Sequence, residues 1–151
     1  MQIEQFARLA SEIGALDEEI DEVVQAQDGT VIVRVGPVDV DLEYDADLQR
    51  VMVAVNLGSP ARAKALGVYE LLMTYASAWR QTGGLAVALT RPGGDLVLQA
   101  PFFAAELNPR SLVTIVTNMA RRAVILRGMI AAGAAEQEAS SAMPIENAIR
   151  L

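Results

Sequence analysis

The stretch SPARAKALGVYELLMTYASAWRQTGGLAVALTRPGGDLVLQAPFF, Ser59 to Phe103, decides the fold. It reads as a long apolar helix, a Gly83-Gly84 break, and two short strands joined by Arg91-Pro92-Gly93-Gly94. Ser59 offers a hydroxyl to an orphan N–H, and Pro60 follows where a missing N–H is tolerated, so the helix is expected to start there. Val68, Leu72, Tyr75 and Trp79 fall on one stripe, and Leu66, Tyr69 and Met73 on a neighbouring one. An arc that wide predicts burial on two sides, one against a sheet and one against a second helix or subunit. This favours a homodimer over the alternative of a central core helix within a monomer.

Downstream, Leu85, Val87 and Leu89 alternate with Ala86, Ala88 and Thr90, and Leu96 and Leu98 with Val97 and Gln99, which predicts a hairpin turning at Pro92-Gly93-Gly94. Asn108-Pro109 repeats the polar-cap-plus-proline start. The helix it opens keeps Leu112, Val116, Met119, Ala123, Leu126 and Ile130 at helical spacing. Arg121, Arg122 and Arg127 are expected on its wet edge. From Gly133 the composition turns to Ala, Glu, Gln and Ser, and 133–151 reads as a flexible tail behind a single domain over 1–132.

Upstream, Ile3, Phe6, Leu9, Ala10 and Ile13 mark one face of a short amphipathic helix, which must dock on something to persist. The acidic run Asp17, Glu18, Glu19, Asp21 and Glu22 reads as a solvated connector leading to an Asp28-Gly29 turn. Three strands are predicted at Thr30 to Val35, Val38 to Tyr44 and Arg50 to Leu57. In the second, Val38, Val40, Leu42 and Tyr44 face one way and Asp39, Asp41 and Glu43 the other. In the third, Met52 and Ala54 stand opposite the core face yet are apolar, as is Ile32 on the first strand, so the sheet's second face is suited to an apolar partner. The order helix, three strands, helix, two strands, helix predicts an α+β fold with a largely antiparallel sheet packed against helices.

Composition removes many chemistries. The 151 residues contain no histidine and no cysteine, which excludes disulfides, thiolate metal sites, imidazole ligands and Ser-His-Asp triads. Residues 1–50 carry 13 acids and 3 bases, and the remainder 6 acids and 9 bases. An acidic front half disfavours nucleic acid. No basic leader or membrane-length apolar run is seen, so a cytoplasmic protein without a membrane role is expected. Asp39, Asp41, Glu43, Asp45 and Asp47 are the best metal candidates, but Tyr44 stands where a calcium loop needs glycine. Neither a phosphate loop nor a paired catalytic carboxylate is recognisable, so no cofactor, no metal and no enzymatic activity are expected.

The Tyr69-Glu70-Leu71-Leu72-Met73 segment of the central helix, the Gly83-Gly84-Leu85-Ala86-Val87-Ala88-Leu89 approach to a strand, Asp95-Leu96-Val97-Leu98 after a glycine turn, and Leu107-Asn108-Pro109 before the last helix together resemble the class I type III secretion chaperones, the CesT/SycE-like family. The resemblance runs from Ile3 to about Ala132. It implies a cytoplasmic homodimer of a Gram-negative bacterium that binds the N-terminal region of one or more secreted effectors and keeps it extended. On that reading the effector surface is expected at Phe6, Leu9, Ile32, Met52 and Ala54, and the dimer interface at Leu72, Met73, Tyr75 and Trp79. The alternatives are a regulatory adaptor of the same fold, similar to the YbjN-like regulators and binding a folded partner, and a carboxylate-dependent enzyme.

Overall fold

The computed structural model describes residues 1–133; the tail expected over 133–151 lies outside the described residues from 134 onward, as does the Trp79 side chain. Two stretches of chain combine into each of two compact units: Met1–Val55 with Gln99–Arg121, and Asn56–Leu98 with the chain from Arg122. Six strands hydrogen-bond in the order β1-β2-β3-β4-β6-β5, giving the α+β antiparallel architecture that the alternation predicts.

In the first unit, α1 (Ile3–Glu12) is followed by β1 (Glu22–Gln25), β2 (Val31–Val35), β3 (Val38–Asp45) and β4, which starts at Arg50 and runs to Gly58. These strands pair antiparallel in sequence order. The Asp28-Gly29 turn forms as expected: the Asp28 carboxylate accepts from the Thr30 N–H at 3.0 Å, and Gly29 takes a φ of 90° that suits glycine. Val31, Val33, Val35, Val38, Val40, Leu42, Val51, Val53 and Val55 are all buried, so β2, β3 and β4 each send their alternate side chains to one core. On that inner face Phe6 of α1 is fully buried and stacks on Tyr44, with ring centroids 5.6 Å apart. A stacked aromatic pair of this kind adds about 0.5–1.5 kcal/mol beyond its buried area.

β1 is an addition to the expected three-strand meander. The acidic connector ends at Asp21, and Glu22 already pairs across the sheet with Arg34. The Asp21 carboxylate is not simply solvated either, since it accepts from the Gly36 N–H at 2.7 Å.

In the second unit the helix expected from Ser59 starts later. The Ser59 hydroxyl donates to the Asp95 carboxylate at 2.6 Å and so does not cap a helix. A single 3-10 turn, Arg62–Lys64, leads into α2 (Ala65–Ser77), which breaks at Ala78 before the one-turn α3 (Trp79–Thr82). Val68, Leu72 and Tyr75 form its buried stripe. β5 (Ala86–Leu89) and β6 (Leu96–Phe103) make the predicted hairpin, closed by Thr90 N–H donating to the Asp95 carbonyl at 2.9 Å. β6 continues past the expected end at Gln99 because Pro101 lies beyond the reach of the four-residue β5, where a missing N–H breaks no pairing on that side.

The last helix, α4 (Pro109–Ala132), starts where the sequence places it. Asn108 Oδ1 accepts from the Ser111 N–H at 3.0 Å and Ser111 Oγ accepts from the Asn108 N–H at 2.9 Å, a reciprocal box that satisfies two orphan donors. No helix among the described residues is long and apolar enough to cross a membrane.

Candidate functional site

With the inner face filled by core, the chemistry open to a partner lies on the outer face of the first unit's sheet. Cross-strand partners point to the same side, so the registers write the rows of that face directly. Glu22, Arg34 and Asp39 make the first row, and Val24, Ile32, Asp41 and Ala54 the second. Glu43 and Met52 make the third, and Asp45 and Arg50 the fourth.

The rows differ in how their charges are handled. In the first, Arg34 sits between two carboxylates, donating to Asp39 at 2.9 Å and to Glu22 at 3.0 Å. Asp39, then Glu22, holds its guanidinium above its ordinary range. In the fourth, the Arg50 guanidinium lies 5.1 Å from the centre of the Phe103 ring, which is itself 54% exposed. Neither contact is worth much at a wet surface. Arg34 is held by its two ion pairs, whereas the Arg50 Nε is buried without a hydrogen-bond partner.

The second row is different. Val24 is exposed, Ile32 and Ala54 are half-buried, and Asp41 stands between the last two, its side chain making no hydrogen bond or ion pair among the described residues. Burial pushes the Asp41 carboxyl up from its ordinary range, and the charge of Asp39 pushes it the same way. Apolar neighbours remove water from a carboxylate without replacing the lost hydrogen bonds.

Of the five residues expected on an effector surface, the structure brings Ile32, Met52 and Ala54 together on this open face. Phe6 and Leu9 lie on α1 at the other side of the sheet. Phe6 is core, with no surface to offer in this state, and Leu9 is half-buried. Val24 belongs to the same row and was missed because β1 was missed.

In the second unit α2 separates the residues expected at a dimer interface. Leu72 and Tyr75 are buried within the protomer, whereas Met73 is 74% exposed. Leu66, on the same helical stripe as Met73, is 73% exposed. Beneath them Arg122 is buried rather than on the wet edge of α4, and its Nη1 donates to the Tyr75 hydroxyl at 3.2 Å. Arg127 is also engaged, donating to the Asn56 carbonyl. Of the three, Arg121 fits the expected wet edge; it belongs to the first unit, where it pairs with Glu19.

Asp95 gathers the turn region of this unit. It accepts from Ser59 and, at 3.0 Å, from the Asn56 side-chain amide, and these two bonds, Ser59 first, hold its carboxyl below the ordinary range. Among the described residues no group of three or more acids is placed to hold a metal ion. The acidic residues of β3 are spread along one strand, which keeps neighbouring same-face carboxylates about 6–7 Å apart.

A sequence profile of the Tir chaperone protein (CesT) family matches residues 9–127. Among curated proteins none matches. Solved structures that share the fold include the following three. The HopA1–SchA chaperone–effector complex contains a chain 14% identical, with a TM-score of 0.66 over 82% of this chain and 94% of that one. The ExsC–ExsE complex gives 17% identity and a TM-score of 0.62 over 85% and 96%. The Yersinia pestis type III secretion chaperone SycH, in complex with a stable fragment of YscM2, gives 16% identity and a TM-score of 0.56 over 80% and 98%.

Proposed function

The chain belongs to the Tir chaperone protein (CesT) family, and from that membership we propose that it is a cytoplasmic type III secretion chaperone of a Gram-negative bacterium, without catalytic activity. It binds the N-terminal region of a secreted effector as a homodimer and keeps that region extended until export. The observation that carries the reading is an open sheet face with an apolar row, Val24, Ile32 and Ala54, with Met52 in the next row, in a chain of this family. The HopA1–SchA pair, a chaperone–effector complex on the same fold, supports it.

An extended segment gains on such a face what it lacks alone. Burying a Leu- or Ile-sized side chain contributes about 1.5–3 kcal/mol, so two or three anchors overcome the ordering of a short stretch. β1 adds a second resource. It is an edge strand of four residues, and its free side can accept one further strand through main-chain hydrogen bonds. Leu9 of α1 is half-buried at the opposite side of the sheet, on the helix that Phe6 anchors.

The dimer is assigned to α2. Met73 and Leu66 supply the exposed stripe, and Leu72 and Tyr75 hold the helix in place from behind. Two exposed side chains of that size on one helix face are what a second copy would cover. Trp79 follows on the same path of chain.

The test is a tagged pull-down from the source bacterium, followed by limited proteolysis and mass spectrometry of what accompanies the protein. The proposal predicts a secreted protein protected over a short stretch near its N-terminus. Recovery of a folded cytosolic regulator, protected throughout, contradicts it and favours the adaptor.

A further inference from the structure

The outer face of the first unit's sheet carries one apolar row among charged ones. Met1–Val55 with Gln99–Arg121 contain 14 acidic and 5 basic residues, a net charge of −9, whereas the described part of the second unit has 2 acidic and 6 basic residues, a net charge of +4. Negative charge is thus concentrated in the unit that carries the open sheet face. Within that face Arg34 bridges Asp39 and Glu22, and Arg50 lies over Phe103 with its Nε buried and lacking a hydrogen-bond partner, so neither base pairs with Asp41. The side chain of Asp41, between Ile32 and Ala54 in the apolar row, has no partner among the described residues.

A carboxylate in that position is poorly solvated and poorly paired at once. A protein surface that only needed solubility would place it at a wet edge, as Asp39 and Glu43 are placed. A cation delivered between Ile32 and Ala54 restores the missing hydrogen bonds, and the apolar neighbours exclude competing water. The base must arrive on a segment that also covers those neighbours, because a free cation leaves them exposed.

We propose that the outer face recognises an extended partner segment in which one Lys or Arg is flanked by apolar residues on the same side, the base pairing with Asp41 and the apolar residues covering Ile32 and Ala54. This rests on the chaperone reading above and narrows its ligand to a chemical class. The geometry suits an extended chain. Strands about 4.8 Å apart put Ile32 and Ala54 about 10 Å from one another across Asp41, and residues two positions apart in an extended segment project to one side about 7 Å apart. The apolar residues two positions before and two after a base lie about 14 Å apart, against about 10 Å between Ile32 and Ala54, so each overhangs its neighbour by about 2 Å, within the reach of a Leu or Ile side chain.

The experiment uses the full chain and labelled synthetic peptides of about twelve residues, with Ile and Leu placed two positions either side of a central Lys, Gln or Glu. Binding is read by fluorescence anisotropy at low and high salt. The Lys peptide is expected to bind about tenfold more tightly than the Gln peptide, and the Glu peptide more weakly still. The preference should shrink with salt. Asp41→Asn should reduce it to less than about twofold while apolar binding persists, and Asp39→Asn, whose carboxylate Arg34 holds, should leave it in place. Equal binding of the Lys and Gln peptides to the unmodified protein, or a preference that survives Asp41→Asn, overturns the assignment of the base while leaving the chaperone reading intact. No saturable binding of any peptide overturns both this inference and the use of the outer face.

Discussion

Replacing Tyr75 with Phe tests how the second unit tolerates a buried cation. Tyr75 is 1% exposed and Arg122 8%, and the bond between them is 3.2 Å, at the long end of the usual range. Phe keeps the ring and its packing, so no cavity term enters. What disappears is the acceptor of a charged donor, leaving Arg122 buried with a hydrogen lacking a partner. Bonds to charged groups contribute about 1.5–3 kcal/mol, and the length of this one places the expected loss at about 1.5–2 kcal/mol. For a chain of this size that lowers Tm by about 3–8 °C. The assay is urea denaturation at fixed protein concentration, so that any subunit association stays constant. Adding Arg122→Met to Tyr75→Phe should recover at least half of the loss, because an apolar side chain of similar length needs no acceptor. A Tyr75→Phe protein within about 0.5 kcal/mol of the parent refutes the reasoning and means that the guanidinium finds an equivalent acceptor elsewhere.

Asp41 gives a pH prediction. Its carboxyl is raised in the folded protein, so the folded state binds more protons than the unfolded one as pH rises from the ordinary aspartate value to the raised one, and stability contributed by this group falls through that window. Asp41→Asn should therefore be more stable than the parent at pH 7, with the difference fading below pH 4; parallel stability curves for the two proteins contradict the burial argument. Asn108→Ala removes one arm of the reciprocal box at the start of α4 and should lower stability by about 1 kcal/mol, as should Ser111→Ala, and the double variant should lose less than the sum because the arms share one motif; thermal melts decide it. In the hairpin turn, a Cβ at Gly94 would lie 2.6 Å from Thr90 Oγ1 and 2.7 Å from Arg91 Cγ, so Gly94→Ala should destabilise by about 1–3 kcal/mol, an outcome that amide exchange in β5 can localise. Met73→Glu and Leu66→Glu should each shift sedimentation toward the monomer without unfolding the protomer, since both side chains are already exposed; an intact dimer for both moves the interface off α2.

How far these features were legible depended on whether one element or several determined them. β2, β3 and β4 each carry their own alternation, and Val38, Val40 and Leu42 point inward as period two requires, so their bounds followed within a residue or two. β1 carries little signal of its own. It has four residues, ends in Glu22 and Gln25, and owes its place to pairing with β2 and to the Glu22–Arg34 bridge, which are contacts made elsewhere in the chain. The start of α2 was misplaced for a similar reason. Ser59-Pro60 is a good local cap, but Asp95, 36 residues away, takes the hydroxyl.

The candidate site was legible by face rather than by position. Met52, Ala54 and Ile32 could be assigned to a second sheet face from parity alone, and they share it. Parity within a strand does not say which side a separate helix will cover, so Phe6 and Leu9 were grouped with residues that lie across the sheet from them. The wide apolar arc of α2 had the same ambiguity. Leu72 and Tyr75 turned to the core and Met73 to solvent, and only tertiary packing decides which stripe wins. Arg122 gave no signal at all, because an arginine among apolar residues reads as a wet edge until the acceptor that buries it, Tyr75, is known to lie opposite.

The most direct test of the account is a methyl-resolved NMR titration of the full chain, labelled at Ile and Met, with the protease-protected segment of the secreted partner recovered by pull-down. The account predicts saturable shifts at the Ile32 and Met52 methyls of the outer face, with the Ile13 methyl, buried in the core, unchanged. Binding that leaves Ile32 and Met52 unmoved contradicts it.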